Sequence, residues 1–376
     1  MLVVAGIVLL PPVEPESDVV ASGDWKLLPP AVSLAGRSEP SVVWTRKAMI
    51  VWGGEADTGV LADGASFDLS SETWASLPAA PIAPRRSHSA VWTGTKMVVY
   101  GGMGVSPECP QICPLGDGAA FDTLTQTWTP IAPAPLGPRT GHRAVWVQNR
   151  MVVWGGGAEA GGALADGASY DPATDSWAPL PPSPLEARMG HGAVATTHDM
   201  LVWGGSEGGE AGRYLADGAV FSPAANSWAR MADAPGSLAG RDNFASVWTG
   251  QQMVVWGGYG RSDTCIPCFH GDGAAYDPSA GSWTPLAPSP LRGRGGSRAV
   301  WTGRDMLVWG GFDSTDHTDG ALYNPTADSW AGLAGGPLSA RQNHAMVWTG
   351  QQLLIWGGQG AGARLADGAV LTLTAF

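Results

Sequence analysis

Residues 139–187 read RTGHRAVWVQNRMVVWGGGAEAGGALADGASYDPATDSWAPLPPSPLEA. Four short strand signals lie in this stretch. HRAVW (142–146) and RMVVW (150–154) are rich in Val, Met and Trp, which suit a pleated, largely buried surface. A short turn separates them, and Gly155-Gly156 ends the second. After a variable stretch, Asp166-Gly167 opens a third strand, ASYD. DPATDS (171–176) is a turn, since Pro presets φ while Asp and Ser can bond the local backbone. Trp177 opens the fourth strand, and a Pro-rich run leads onward. We call these strands a, b, c and d.

The same landmarks recur in the same order through the chain. Units begin at Arg37, Arg85, Arg139, Arg188, Arg241, Arg294 and Arg341. Their Gly pairs begin at Gly53, Gly101, Gly155, Gly204, Gly257, Gly310 and Gly357, and their strand c aspartates are Asp63, Asp117, Asp166, Asp217, Asp272, Asp319 and Asp367. A period of roughly 50 residues with four antiparallel strands per unit predicts an all-β, seven-bladed β-propeller. Tryptophan supports this independently, because all 19 fall on repeat landmarks. They end strand a (as Trp146), end strand b (as Trp154) or begin strand d (as Trp177). Ala195 and Tyr100 take the place in one unit each. Packing between blades is the expected role.

The two ends of the chain are complementary. Gly23–Gly36 (GDWKLLPPAVSLAG) reads as a strand d and exit loop, whereas the last unit stops after its strand c at Phe376. The N-terminal segment is therefore expected to supply strand d of the last blade, closing the ring and removing an open sheet edge. Residues 21–376 would then form a single domain, preceded by a tail and linker over 1–20. In that tail, Met1–Leu10 is apolar and resembles the core of a secretory signal, with no Lys or Arg before it. An extracytoplasmic or secreted protein is the resulting expectation.

These features resemble the kelch-repeat β-propeller family: Gly-Gly after a hydrophobic strand, Tyr/Phe-Asp before a turn (Phe67-Asp68, Tyr170-Asp171, Tyr276-Asp277), and a Trp six or seven residues later. The resemblance covers roughly 21–376. It implies the fold and leaves activity open, since that fold carries enzymes and non-enzymatic binders alike.

Composition narrows the partner. The net charge is −12, which argues against nucleic acid or an anionic membrane as the main partner, and no run is long enough to span a bilayer. The stretch from the Gly pair to Asp varies from 9 residues (Gly310 to Asp319) to 16 (Gly101 to Asp117), while the a–b and c–d turns keep fixed lengths. The arginines, Gly pairs and variable b–c loops fall on one face, because antiparallel strands alternate direction. That face is the expected binding face, and the loops 103–116, 206–216 and 259–271 are its longest.

Several residues on this face are candidates. Arg85, Arg139, Arg188, Arg241, Arg294 and Arg341 would form either a cationic rim for carboxylates or phosphates, or pairs with backbone carbonyls and an aspartate. In some kelch proteins equivalent arginines contact acidic peptides. His88, His142, His191 and His344 each follow a unit arginine by three residues, and would serve either packing or, for three adjacent ones, a metal. Cys109 with Cys113 and Cys265 with Cys268 are expected as local disulfides, with a metal or redox role as the alternative. Asp313, Asp316, His317 and Asp319 form an oxygen-rich loop without EF-hand spacing. In the unit 5 loop, Tyr259, Arg261, Asp263, Phe269 and His270 offer contact chemistry.

Enzyme signatures are sparse. Copper oxidases of the galactose oxidase type need a Tyr-His pair, and no Tyr here precedes a His. No G-x-S-x-G elbow or Walker loop occurs. The expectation is a monomeric, cofactor-free binding scaffold for a protein, peptide or glycan. The alternative is a carbohydrate-active epimerase or lyase with its site in the propeller mouth.

Overall fold

The computed structural model describes residues 20–107, 109–159, 161–209, 212–262 and 265–374, without the side chain of Cys109. The signal-like run Met1–Leu10 and Asp263 lie outside these residues. Among the described residues every regular element is a strand, and no helix is present.

Each unit forms one meandering sheet in the order a-b-c-d. In unit 3 the strands are Arg143–Val147, Arg150–Trp154, Gly167–Asp171 and Ser176–Pro179. Trp154 faces Gly167 across one antiparallel pair, and Tyr170 faces Trp177 across the next. The other units repeat this order, giving six sheets of four strands and one of five among the described residues.

Both faces of each sheet are covered. Strand b is therefore apolar throughout rather than alternating, and Met151, Val152, Val153 and Trp154 are all fully buried. Successive side chains point to opposite faces. Consequently Val152 and Trp154 pack with Met200 and Val202 of unit 4, while Met151 and Val153 pack with Val98 and Tyr100 of unit 2. The same kind of seam joins units 7 and 1, through Leu354 and Trp356 against Met49, Val51 and Phe67.

Tryptophan fastens each seam twice. The strand b Trp lies against the strand d Trp of the next unit, as in Trp154–Trp228 with ring centroids 5.6 Å apart, Tyr100 taking its place against Trp177. The strand d indole also donates to a carbonyl of the preceding unit, as Trp177 Nε1 does to Ala132 O at 2.9 Å. Burying ~150–250 Å² per Trp is worth a gross ~4–6 kcal/mol before ordering costs. The tryptophans ending strand a also pack against these seams but are only half-buried, and Trp92, Trp146, Trp248, Trp301 and Trp348 line a cavity as well.

At the N-terminus, Gly23–Leu27 pairs antiparallel with Gly368–Leu373, placing Trp25 opposite Leu371. It thus occupies the strand d place of unit 7. Trp25 Nε1 donates to Ala334 O of unit 6 at 3.4 Å, and Trp74 of unit 1 donates to Pro29 O at 3.0 Å. One pairing was not anticipated. Val20–Ala21 runs parallel to strand d of unit 6, opposite Gly332 and Leu333, and makes the fifth strand of that sheet.

Candidate functional site: loop face and channel

Each unit arginine clamps both ends of its own b–c loop. Arg139 Nη1 donates to Gly155 O at 3.0 Å where the loop begins, and to Asp166 O at 3.2 Å where it ends. Its Nη2 meets the Asp166 carboxylate at 3.0 and 3.1 Å, and its Nε meets Gly137 O at 3.1 Å. The ion pairs Arg37–Asp63, Arg85–Asp117, Arg188–Asp217, Arg241–Asp272, Arg294–Asp319 and Arg341–Asp367 repeat this at 2.6–2.9 Å. The clamp is indifferent to loop length, so the loop above it is free to vary.

Arg85, Arg139, Arg188, Arg241, Arg294 and Arg341 are fully buried. Of the two readings left open, pairing with carbonyls and an aspartate is the one found. The exposed side of each pair is the aspartate; Asp166 is 56% exposed. Burial lowers the pKa of Arg85 and Arg188, and their aspartates oppose the shift.

The Gly pair lies where a side chain cannot fit. Gly155 has a φ of +68°, and a Cβ on it would lie 2.8 Å from Arg188 O and from the His191 ring. His191 stands edge-on to Trp154, with centroids 5.2 Å apart. His88 and His344 pack likewise on Trp52 and Trp309, and His142 on Tyr100, while Phe244 takes the same place on Trp203. Burial pushes His88 and His142 down to about 3, and His191 and His344 well below the usual value. These rings are neutral and lie in separate seams. Among the described residues, no three His, Cys, Asp or Glu side chains are grouped to hold a metal ion. In the unit 6 loop, the Asp313 carboxylate accepts from the N–H of Thr315 at 3.0 Å, and Asp316 from Gln342 and Ala361 at 3.1 Å each.

The long b–c loops of units 2 and 5 are β-hairpins. Met103–Ser106 pairs with Cys109–Pro114, and Tyr259–Ser262 with Cys265–Phe269. Cys265 and Cys268 are joined by a disulfide. Cys113 is also disulfide-bonded; the side chain of Cys109, its expected partner, lies outside the described residues. The hairpin tips expose Ile112 (46%) and Ile266 (67%) to solvent.

Beside the unit 5 hairpin runs a line of half-buried aromatic rings. Tyr214 of unit 4 meets Tyr259, Tyr259 meets Phe269, and Phe269 meets Phe312 of unit 6, with edge-on centroids 6.3, 6.0 and 5.7 Å apart. Burial, then the Asp242 carboxylate, pushes the Tyr259 hydroxyl up to about 12. Arg261 is exposed and close enough to act on Tyr214. Sequence reading found Tyr259 and Phe269 but missed Tyr214 and Phe312. Their only signal was an aromatic residue inside a variable loop. His270 also has a backbone role. It holds the place taken by Leu61, Leu115, Leu164 and Leu215 in other units, and its carbonyl accepts the Arg294 N–H at 3.1 Å.

The inner strands of neighbouring units stand side by side around a cavity of about 490 Å³, lined by Trp92, Trp146, Trp248, Trp301 and Trp348 with Val and Ala between them. At the opposite end of these strands, the second residue after each unit arginine has a left-handed φ: Glu39, Ser87, Gly141, Gly190, Asn243, Gly296 and Asn343. Several of these form a head-to-tail chain of backbone hydrogen bonds. Gly190 donates to Gly141, Asn243 to Gly190, Gly296 to Asn243, Asn343 to Gly296 and Glu39 to Asn343, at 2.9–3.5 Å.

Repeated four-stranded antiparallel sheets packed face to face around an axis define a β-propeller built from kelch-type repeats. The comparisons agree. The Kelch-repeats domain family of KLHDC2, KLHL20 and DRC7 matches residues 19–186 and again 141–358, and the chain belongs to this kelch-repeat family. A solved structure described as "Structure of YjhT" is similar, with 17% identity and a TM-score of 0.64, over 81% of this chain and 99% of that one. At that identity the likeness concerns the fold. No curated protein sequence matches the chain.

Proposed function

We propose that residues 21–376 form one closed, seven-bladed ring acting as a monomeric, non-catalytic binding scaffold. Its partner is a protein or peptide, or a glycan, met by the b–c loops. Closure is supported by bonds between units 7 and 1 that match those elsewhere. Gly358 N–H donates to Arg37 O as Gly156 donates to Arg188 O, both at 2.8 Å. Strand Ser41–Trp44 also neighbours both Ser89–Trp92 and Ala345–Trp348.

The observation that carries the binding reading is the aromatic line Tyr214, Tyr259, Phe269 and Phe312, half-exposed on the variable face beside Arg261. Tyr and Arg are enriched where interfaces concentrate their energy. The unit arginines serve this face from beneath, by fixing the loop bases. The disulfide supports an oxidising compartment outside the cytoplasm, which fractionation of the producing cells would check.

Replacing Tyr259 and Arg261 together with Ala should weaken capture of any partner found by pull-down, by about tenfold or more, with little change in fold. Thr174→Ala in a c–d turn is the matched control. Asp175 is unsuitable for that purpose, because its carboxylate accepts from Ala132 N–H at 2.8 Å and from Tyr170 Oη at 2.7 Å. Loss of binding in the Thr174 variant but not in the loop variant would place the interface on the opposite face.

A further inference from the structure

We propose that the channel holds a small oxyanion, a carboxylate or phosphate group, between Arg143 and Arg298. The inference takes its geometry from the seven-unit ring proposed above. The fourth residue after each unit arginine lies at the start of strand a. In five units it is small: Ser41, Ser89, Gly192, Ala245 and Ala345. In units 3 and 6 it is Arg143 and Arg298. Three units apart in a ring of seven, these two stand on opposite sides of the channel.

Among the described residues, each guanidinium hydrogen-bonds through its Nε alone. Arg143 Nε donates to His191 O at 2.8 Å, and Arg298 Nε to His344 O at 3.3 Å. Among the described residues, neither has a carboxylate within ion-pair distance. The unit arginines are the contrast, each having its own aspartate. The nearest acids act on them from beyond ion-pair distance, Asp242 on Arg143 and Glu39 on Arg298. Asp242 Oδ2 accepts from Ser206 Oγ at 2.9 Å while its Oδ1 has no partner among the described residues, and Glu39 accepts from Arg86 and Ser87.

Burial, and after it the charge of Arg298, brings Arg143 down to about 10. Burial also lowers Arg298, with Glu39 opposing the shift, and a guanidinium keeps its proton in a protein. Two like charges facing one channel without an ion-paired carboxylate are costly, and one anion shared between them offsets that cost. The terminal nitrogens of the two guanidinium forks suit carboxylate and phosphate oxygens. The small residues at the same level leave space between the forks. Above them, three of the seven left-handed residues are glycines, Gly141, Gly190 and Gly296, which add no side chain to that mouth.

The test titrates the full chain by calorimetry with inorganic phosphate and separately with citrate, against sodium chloride at matched ionic strength. Saturable binding of at least one is expected, weakened about tenfold in Arg143→Lys and in Arg298→Lys, which keep the charge but lose the fork. The double Arg143→Met, Arg298→Met variant should lose it. That variant should melt no lower than the native chain in low-salt, anion-free buffer, because it removes two unpaired cations. A response to phosphate alone indicates a phosphate-bearing ligand, and a response to citrate alone a carboxylate. Tyr259→Ala with Arg261→Ala should leave anion binding unchanged, which separates this site from the partner-binding face. Absence of saturable binding with both probes would overturn the proposal. So would unchanged affinity in the Lys variants, which serve even if the double Met variant fails to fold.

Discussion

A fully buried guanidinium must place five N–H donors, and Arg139 does so on three backbone carbonyls and one carboxylate. The two partners are unequal, since the arginine is inaccessible and its aspartate is 56% exposed. Solvent screens the aspartate, so the Coulombic part of the pair is modest. The carbonyls have no such alternative. Arg139→Met should therefore cost about 3 kcal/mol or more by stranding buried acceptors, and Asp166→Asn only about 1 kcal/mol. Urea denaturation of both variants checks the order, and equal losses would show that the ion pair, not the carbonyl clamp, dominates.

At the level of elements, the clamp explains why one face varies. Gly155 N–H donates to Asp166 O at 3.0 Å, and Gly101 N–H to Asp117 O at 3.0 Å, although the second loop is five residues longer. The N-terminal strand is the other informative element. It covers Ala369 and Leu371, receives the Trp74 indole N–H through Pro29 O, and places Trp25 6.3 Å from Trp309. Deleting residues through Gly36 removes these contacts and also the Arg37 flank. The melting temperature should fall by on the order of 10 °C or more. A deletion variant that melts with the full chain would refute the role of this strand in unit 7.

Across the whole molecule, the same ring-on-ring contact recurs from seam to seam, and this makes stability depend on pH. His88 and His142 are held down to about 3, and His191 and His344 well below the usual value, all by burial first. Unfolded histidine titrates near 6.5. Below about pH 6.5 the unfolded chain binds more protons, so the contribution of each ring is complete above that pH and is lost as pH falls, for His88 and His142 down to about 3. Unit 5 shows the remedy, since Phe244 packs on Trp203 at 5.3 Å in the same place. The ring nitrogens of His191 have no partner among the described residues, so His191→Phe should keep neutral-pH stability and flatten the melting profile between pH 6.5 and 4. An unchanged slope would mean that the ring is solvated in the folded state.

What the amino-acid order determined by itself was everything that repeats. Seven copies of Arg, Gly-Gly, Asp-Gly and Trp specify four strands per unit, their pairing, the Trp seams and the origin of the N-terminal strand, because local period and turn chemistry act within one unit. Repetition also left the arginines ambiguous, since a cationic rim and a buried clamp have the same spacing. Only packing decided between them, by closing the seam over each guanidinium. Tertiary structure alone also revealed what depends on neighbours in space. Tyr214 and Phe312 join Tyr259 and Phe269 only when units 4, 5 and 6 stand side by side. Arg143 and Arg298 are 155 residues apart and unremarked in their own units. Their relation depends on inner strands brought side by side, where low dielectric strengthens the effect of one charge on another.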